Sequence, residues 1–392
     1  MRAKTFLACT FLLISTMIAG GTTFKTLHSF DGYHDDSYPV PGVIIDPSGN
    51  LYGVAAWGNW YEGTIFELSP SGNDWTFHVL HHFDERDPEG AGPLGGLAID
   101  EAGSIYGTAS YDHGDYECGT VFTIDENGNF AVLHSFTGPD GCNPEARLTY
   151  SNGTIWGTTA LGGANNQGTV FSMNTSGGSF QFKSFTKKEG TFPLSAVSLW
   201  GYGTTYKGGA KGQGNLYRLD PVKGMVNKHS FAADNKAGDL PMGDLLTLYV
   251  GGIRTIYGSN SYAGPSSGGS IYQFTETQPN SDRWQMRVLH SFSYSSDEGW
   301  APNAGLIADA SGNLYGTTNR GGPMDCGTVF RLSPGRYKNS KWVYTVLYSF
   351  DLDNGDGCSP SGNLVFDKSG NLYGTTQDGG EYYQGTVFEL TP

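Results

Sequence analysis

The sequence predicts an all-β fold, a seven-bladed β-propeller with four antiparallel strands in each blade. Three short motifs each occur seven times, at spacings of roughly 50 residues, which is the length of one four-stranded blade. No segment shows the 3.6-residue period of an amphipathic helix. The two ends of the chain also divide one repeat between them, which is typical of a closed ring.

Three motifs define the repeat and follow one another in each unit. An aromatic-Gly pair begins at Tyr52, Tyr106, Trp156, Tyr202, Tyr257, Tyr315 and Tyr373. A Gly-Thr-Val-Phe-like motif follows, beginning at Gly63, Gly119, Gly168, Gly214, Gly269, Gly327 and Gly385. A Leu-His-Ser-Phe-like motif ends at Phe30, Phe83, Phe136, Phe185, Phe231, Phe292 and Phe350.

Each unit divides into four short strands, which we name a to d from the ring axis outward. In the second unit these strands are predicted over 95–99, 104–109, 119–124 and 129–136. Asp-Glu-Ala-Gly at 100–103 joins the first two, because Gly tolerates the backbone of a tight β-turn. The a–b and c–d turns therefore share one face of the ring, the turn face. The longer b–c and d–a loops share the other, the loop face.

The ends of the chain predict how the ring closes. Residues 24–30 form a d-type strand with no a, b or c strand before it, and 385–390 a c-type strand with no d strand after it. Pairing the two would complete the seventh blade and remove an exposed sheet edge.

Residues 1–21 have the features of a signal peptide. Arg2 and Lys4 precede an apolar run over 6–18, and small residues follow it. A lone N-terminal membrane anchor is the alternative, but the run is short for a membrane span and no second apolar stretch follows. We expect residues 22–392 to form a single propeller domain that is secreted, extracellular or periplasmic, monomeric and not inserted in a membrane.

Charge and motif content exclude several classes of function. The net charge of −15 argues against nucleic acid or an anionic membrane as partner, because both require a basic surface. The sequence contains no Gly-x-Ser-x-Gly elbow, phosphate-binding loop, metalloprotease motif or dinucleotide fingerprint. We therefore expect no cofactor and no metal site; a structural calcium ion is the alternative, although no complete calcium-binding loop is present.

The repeat resembles that of a known family. The run at 367–376, the pair Gly379-Gly380 and the segment 385–388 are similar to the bacterial GloVer (Gloeo-Verruco) tandem repeat, and the resemblance covers essentially all of 22–392. It implies an exported repeat protein without an established biochemical activity, so no catalytic residues can be transferred. Members often end in a sorting or anchoring segment, and the end at Thr391-Pro392 favours a freely secreted or periplasmic protein. The fourth unit departs from the pattern, with a shortened a–b hairpin around 199–201.

Four cysteines follow the signal segment, and their places in the repeat predict two disulfides. Cys118 and Cys326 each precede a c strand, whereas Cys142 and Cys358 follow the d strand of the same unit. Strands c and d are antiparallel, so Cys118 is expected beside Cys142, and Cys326 beside Cys358. Zinc is the competing interpretation, but no paired histidines accompany these cysteines.

The candidate functional residues lie on the loop face, since loops above a rigid scaffold carry binding groups. Histidines of the third motif and the tyrosines of the first recur in most units, which indicates a structural role. The recurring acidic residues of the d–a loops are turn-formers first and calcium ligands second. Non-repeated residues of blades 1 and 2 are the better candidates, because other blades place Gly, Asn or Ser at most corresponding positions. The ligand-binding candidates are Trp57, Trp60, Tyr61 and Tyr116, and weaker catalytic candidates are His34, Asp36, His113 and Asp115.

Three functions fit these observations. The first is a secreted binding module for carbohydrate or cell-envelope glycan, because aromatic rings stack on sugars and carboxylates bond to hydroxyls. The second is a polysaccharide lyase or glycoside hydrolase using the same face, which is fold analogy only. The third is a structural or protein-binding ring.

Overall fold

Seven antiparallel sheets succeed one another along the chain and form the predicted seven-bladed propeller. The computed structural model describes residues 21–392, except 59–61, 85–88, 112–117, 221, 233–237, 280, 282, 295–296 and 337–339. Within these ranges the one helix is a 3-10 turn, Leu352–Asn354, and no helix is long and apolar enough to cross a membrane. The predicted signal peptide lies outside the described residues, apart from Gly21.

The strands are short, and each blade contributes the next group in chain order. The first strand is β1 (Thr23–Ser29), and blade 1 comprises β2 (Val43–Ile45), β3 (Leu51–Ala55), β4 (Thr64–Ser71) and β5 (Asp74–His82). Blade 2 comprises β6 (Ala98–Ile99), β7 (Ile105–Ala109), β8 (Thr120–Ile124) and β9 (Phe130–Ser135). Blade 3 comprises β10 (Thr149–Ser151), β11 (Thr154–Thr159), β12 (Thr169–Asn174) and β13 (Gln181–Ser184), and blade 4 comprises β14 (Tyr202–Thr205), β15 (Asn215–Asp220) and β16 (Gly224–Ser230).

The remaining three blades complete the ring. Blade 5 comprises β17 (Leu246–Val250), β18 (Ile253–Asn260), β19 (Ser267–Glu276) and β20 (Trp284–Ser293). Blade 6 comprises β21 (Ile307–Ala308), β22 (Leu314–Thr318), β23 (Thr328–Ser333) and β24 (Val343–Ser349), and blade 7 comprises β25 (Val365–Phe366), β26 (Leu372–Thr376) and β27 (Thr386–Thr391).

The N-terminal strand closes the ring as predicted. Strand β1 is the outermost strand of blade 7 and pairs antiparallel with β27, from Thr23 opposite Thr391 to Ser29 opposite Thr386. Near the axis, Gly42 of blade 1 forms a parallel bridge with Asn363 of blade 7. First and last blades are therefore joined by backbone hydrogen bonds at both the outer and the inner edge.

The first two motifs meet across strands b and c of every blade. In blade 1, Gly53 on β3 is the cross-strand partner of Phe66 on β4, and a Cβ atom on Gly53 would lie 2.4 Å from the Phe66 ring. The glycine is required because the ring lies directly over its Cα. The same pairing, at 2.3 to 2.8 Å, occurs at Gly107–Phe122, Gly157–Phe171, Gly203–Tyr217, Gly258–Tyr272, Gly316–Phe330 and Gly374–Phe388.

The third motif joins neighbouring blades. Phe83, at the end of the d strand of blade 1, contacts Phe122 of blade 2 with ring centroids 5.4 Å apart. Both side chains are fully buried. Equivalent contacts occur at the other six blade interfaces, with centroids 5.2 to 5.7 Å apart: Phe30–Phe66, Phe136–Phe171, Phe185–Tyr217, Phe231–Tyr272, Phe292–Phe330 and Phe350–Phe388.

The recurring histidines serve the same interfaces, which supports their structural interpretation. His134 of blade 2 stacks on Phe180 of blade 3 with centroids 3.7 Å apart, and its Nε2 lies 2.9 Å from the Asp140 carboxylate. The Asp or Glu of the d–a loop thus holds the imidazole against the next blade. The same stack occurs at His28–Phe77, His81–Phe130 and His290–Tyr344, with carboxylates from Asp35, Glu89 and Glu298 respectively.

Blade 4 differs from the prediction of four strands, since its sheet contains three. The a–b hairpin is too short to form a β-ladder of backbone hydrogen bonds between strands a and b. Ser198 N donates to the Tyr202 carbonyl at 2.7 Å, and Thr204 N donates to Ser195 Oγ at 2.9 Å, so a side chain replaces part of the missing pairing. Leu199 and Trp200, in the turn, are left exposed.

The two disulfides are formed as expected. Cys118 is bonded to Cys142 with a Cα separation of 4.2 Å, and Cys326 to Cys358 with a Cα separation of 4.4 Å. Each disulfide joins the start of a c strand to the d–a loop that follows the same blade. It therefore fixes the position of that loop on the loop face beside blades 2 and 6.

Side chains cross the ring axis. The Asp244 carboxylate accepts hydrogen bonds from Arg147 Nε at 2.9 Å, Asn363 Nδ2 at 2.6 Å and Ala196 N at 2.6 Å. These residues come from blades 3, 4, 5 and 7. They lie between two cavities on the axis. The cavity nearer the loop face has a volume of about 250 Å³ and is lined in part by Glu145, and the cavity nearer the turn face has a volume of about 230 Å³.

Removal of residues 22–30 is expected to destabilise the whole ring. The deletion exposes the outer edge of β27 and removes Phe30, whose ring joins blade 7 to blade 1. Thermal unfolding and light scattering should show a large fall in Tm with aggregation. A truncated protein that melts like the full chain would contradict the split-blade closure.

Candidate functional site

The predicted ligand-binding residues fall partly within the described structure. Trp57 lies on the loop face, is 37% exposed and has its ring centroid 5.8 Å from that of Tyr111 in blade 2. The other candidates of this sector lie outside the described residues: Trp60, Tyr61, His113, Asp115 and Tyr116.

We expected other blades to have Gly, Asn or Ser at most positions equivalent to those of this sector. At the position of Trp57 this expectation is wrong. Trp57 bridges Ser37, and the residues that form the same bridge in other blades are Tyr111, Leu161, Lys207, Tyr262, Arg320 and Asp378. Two of these are aromatic. The asymmetry of the loop face must therefore be sought in residues other than Trp57 alone.

Exposed aromatic side chains concentrate at the boundary between blades 7 and 1. Eight such side chains are described on the loop face, and Phe192, Tyr262 and Tyr294 are distributed around the ring. Four of the other five belong to this one boundary, Tyr33, Tyr38, Tyr382 and Tyr383, whereas the Trp57 ring lies against Tyr111 of blade 2. The backbone brings them together, because Tyr38 N donates to the Gln384 carbonyl at 3.1 Å. Sequence reasoning missed the tyrosines at 38, 382 and 383 as a group, since they lie more than 340 residues apart in the chain.

A cleft of about 420 Å³ opens at the same boundary, which we call the 7–1 cleft. One wall is the end of β1, and the other is the b–c loop of blade 7. Its lining is mainly polar and includes three carboxylates and one aromatic ring. The lining residues that carry these groups are His28, Asp31, Asp35, Glu381 and Tyr382.

Hydrogen bonds fix the carboxylates on the β1 side of the 7–1 cleft. Asp35 Oδ2 lies 2.6 Å from His28 Nε2, and Asp35 Oδ1 accepts from Asp31 N at 2.8 Å. Asp31 accepts from the backbone of Tyr33 and His34 and pairs with His34 Nδ1 at 2.7 Å. Burial raises the pKa of Asp31, but the bonds from His34 and Tyr33 outweigh it and hold that pKa well below its usual range. Asp31 is therefore ionised and rigid in the d–a loop.

His34 is paired with Asp31 and not with Asp36. Its hydrogen bond to Asp31 raises the pKa of the imidazole, while the side chain remains largely in solvent. Asp36 is completely enclosed, and no hydrogen bond joins it to His34. The structure therefore does not assemble these two catalytic candidates into one acid–base pair.

Asp36 occupies a position at which the repeat otherwise requires glycine. It immediately precedes Ser37, which forms an isolated β-bridge with Trp57 of the b–c loop. The residues at the equivalent position of the other six blades are glycines with positive φ: Gly90, Gly141, Gly190, Gly238, Gly299 and Gly357. Asp36 adopts the same left-handed region, at φ 62°. In blade 3 a Cβ on Gly141 would lie 2.5 Å from Thr159, whereas the corresponding residue of blade 1 is the smaller Ala55. Blade 2 also has alanine at this position, Ala109, and a Cβ on Gly90 would still lie 2.7 Å from it, so the alanine alone does not explain how blade 1 accommodates a side chain at 36.

The Asp36 carboxylate is buried without a hydrogen-bond partner among the described residues. Burial raises its pKa to about 7, and the nearby charges of Asp35, Glu62 and Asp31 add to the shift. The Gly63 amide lowers the pKa in part, but neither oxygen has a donor in hydrogen-bonding geometry. Asp36 thus places a carboxyl group that ionises near neutral pH directly beneath the loop face. Within the described ranges no group of three or more His, Cys, Asp or Glu side chains is arranged to hold a metal ion.

Replacing Asp36 with the glycine of the other blades should stabilise the protein in a pH-dependent way. Because burial raises the folded pKa above the unfolded value, the wild type loses stability as pH rises from about 4 to about 7, and the loss is constant above that. The full difference approaches about 4 kcal/mol at pH 8. Thermal unfolding of Asp36→Gly and the wild type at pH 4 and pH 8 measures it, with Asp36→Asn as the variant that removes the charge and retains the shape. A difference between Asp36→Gly and wild type that is the same at both pH values would contradict this account.

Comparison with solved structures shows the same fold at low sequence identity. The extracellular domain of a protein described as a hybrid two-component system from B. thetaiotaomicron superposes with a TM-score of 0.56 at 12% identity, over 93% of this chain. This chain spans only 39% of that one. An α-L-arabinanase from Penicillium chrysogenum, complexed with arabinobiose, superposes with a TM-score of 0.51 at 10% identity, over 94% of this chain and 98% of the enzyme.

Sequence comparison identifies the family. No curated protein matches the chain in sequence. The Gloeobacter/Verrucomicrobia repeat matches three times in tandem, over residues 13–201, 98–283 and 200–392, and so covers nearly all of the chain. The chain therefore belongs to the Gloeobacter/Verrucomicrobia repeat family.

Proposed function

We propose that this propeller is a secreted carbohydrate-binding module that holds a neutral chain of an extracellular or cell-envelope glycan in the 7–1 cleft. The observation that carries the proposal is the concentration of exposed aromatic side chains at one of seven otherwise equivalent blade boundaries. A single site in a sevenfold ring requires such asymmetry.

The groups at the 7–1 cleft suit a sugar. Exposed tyrosine rings, with Tyr382 in the lining itself, offer flat apolar faces for the C–H face of a pyranose or furanose, and their hydroxyl groups remain in solvent. Asp31 and Asp35 accept hydrogen bonds from backbone and histidine through some of their lone pairs, and a carboxylate has others for sugar hydroxyls. Because the lining carries three carboxylates and no Lys or Arg, it favours an uncharged glycan over an acidic one.

Export is supported by the disulfides. Bonds such as Cys118–Cys142 and Cys326–Cys358 persist in oxidising compartments and are rare in the cytosol. The N-terminal sequence adds a basic start and an apolar run of signal-peptide type. The likeness to an extracellular domain and to an enzyme complexed with arabinobiose is likeness of fold, and adds that such a ring can accommodate a saccharide.

Binding fits the described residues better than hydrolysis or elimination on the same face. Catalysis of either kind needs an acid and a base that both reach the substrate. Asp36 is enclosed beneath the surface, and the ring of His34 is already held by Asp31. Neither residue is placed to act on a glycan together with the other.

Substitution of the aromatic side chains should abolish glycan retention and leave the fold intact. Tyr382→Ser removes the ring that lines the 7–1 cleft, and Trp57→Leu removes an exposed ring of the neighbouring b–c loop of blade 1; leucine is the residue of blade 3 at the position of Trp57. Each is expected to weaken binding of neutral oligosaccharides about tenfold. A glycan array followed by calorimetry on neutral arabinan, galactan and xylan oligosaccharides measures the effect.

The matched control for these variants is Tyr262→Leu, which removes an exposed aromatic side chain from the equivalent position of blade 5. It should bind like the wild type. Equal losses in Tyr262→Leu and Trp57→Leu, or normal binding by Tyr382→Ser, would show that the 7–1 cleft is not the site. The absence of any neutral glycan ligand would overturn the carbohydrate proposal itself.

A further inference from the structure

The interface between blades 3 and 4 lacks packing elements that other interfaces have. Its d-strand residue is Lys183, in the place of the stacked histidine of other blades, and no ring within the described ranges stacks on it. Gly224 lies so close that a Cβ atom there would be 1.7 Å from Lys183 Nζ. The interface therefore has an ammonium group where four other interfaces have a stacked imidazole, held by a carboxylate in each case.

The first motif is also altered at this interface. Trp156 stands where every other blade has tyrosine. At five interfaces a ring from the next blade packs on that tyrosine: Tyr373–Trp75, Tyr106–Tyr150, Tyr202–Trp284, Tyr257–Trp342 and Tyr315–Phe366. Among the described residues no ring of blade 4 packs on Trp156 in this way; the packing ring comes from the a strand at two of the five interfaces, and blade 4 has no a strand.

Because this interface has neither the stacked histidine nor the ring that packs on the first motif, a groove of about 780 Å³ is present on the turn face, which we call the 3–4 groove. Its size is that of a site for an oligosaccharide or another ligand of similar mass. Four large aromatic side chains line it: Phe171 is buried, whereas Phe182 and Trp200 are nearly half exposed. The fourth is Trp156, which is partly buried at the base of the groove.

Two cations lie in the 3–4 groove, in a protein of net charge −15. Among the described residues no salt bridge involves Lys183 or Arg218, although the Asp220 carboxylate interacts electrostatically with Arg218. The Arg218 guanidinium lies over the Tyr202 ring, 5.7 Å from its centroid, and its Nε is buried with no hydrogen-bond partner in the described part of the chain. A buried donor without a partner is costly, and a ligand acceptor would satisfy it. The one lining carboxylate, Asp220, accepts hydrogen bonds from Val222 N and Lys223 N in the adjacent turn.

We propose that the 3–4 groove is a second binding site, specific for an acidic oligosaccharide. Aromatic faces at Trp156, Phe182 and Trp200 would stack on sugar rings, and Lys183 and Arg218 would pair with the carboxylate or sulfate groups. The site lies on the turn face and does not depend on the 7–1 cleft. Its charge is opposite to that of the cleft, so the two sites select different glycans.

Binding of galacturonate oligosaccharides, measured by calorimetry with the full mature chain, tests this site. Lys183→Glu and Arg218→Gln should each weaken binding by about tenfold or more, because each removes a charge-assisted contact. Lys183→His, which introduces the residue of the other blades, should weaken it at neutral pH. The matched control is Lys211→Glu, which makes the same change of charge on the exposed b–c loop of blade 4 and should bind normally.

The comparison probes separate the alternatives. Methyl-esterified galacturonate oligosaccharides, which lack the charge, should bind at least about tenfold more weakly than the acid, and a sulfated oligosaccharide shows whether sulfate serves as well as carboxylate. Tyr382→Ser should retain acidic binding, which separates this site from the 7–1 cleft. The proposal is overturned if neither acidic saccharide binds, if the methyl ester or poly-glutamate binds as tightly, or if Lys211→Glu loses as much affinity as Lys183→Glu.

Discussion

The packing of one aromatic ring over one glycine, repeated in every blade, is the contact on which the rest of this propeller depends. Within a blade, the ring of the c strand lies on the Cα of the b-strand glycine, as Phe122 does on Gly107. Across the interface, the same ring meets the phenylalanine that ends the previous d strand, Phe83 in this case. Sheet pairing and blade packing therefore share one side chain, and all three sequence motifs converge on it. The N-terminal strand is part of this system, since Phe30 supplies the contact between blades 7 and 1.

Because that contact is the same in all seven blades, a residue that departs from the repeat marks a feature specific to one blade. Blade 1 carries Asp36 in place of a glycine, with the same left-handed backbone. Blade 4 has lost its innermost strand, and Lys183 replaces the histidine that stacks at other interfaces. Each departure is costly, through a buried unpaired carboxylate or through missing packing, and the aromatic contacts that recur at every interface keep the ring intact around it. Asp36 adjoins Asp35 of the 7–1 cleft, and the departures of blades 3 and 4 line the 3–4 groove.

The sequence predicts the number of blades, the closure and both cysteine pairs, because these follow from motif spacing and from the antiparallel order of strands c and d. It also identifies the hairpin of blade 4 as atypical, although not that a strand is lost there. Asp36 could have been singled out by aligning the repeats, since six of them have glycine at its position. The 3–4 groove could not, because the exposure of Trp156 results from side chains that are absent in a neighbouring blade. The same holds for Tyr38 and Tyr382, whose loops are joined only when the ring closes.

The central claim is that ligands bind where the repeat is broken. Hydrogen–deuterium exchange, measured with a neutral oligosaccharide and with a galacturonate oligosaccharide in separate experiments, tests it most directly. The account predicts protection of residues 31–38 and 381–384 by the neutral glycan, and of 181–184, 198–201 and 218–224 by the acidic one. Protection spread evenly over the seven blades, or confined to loops that match in every blade, would contradict it.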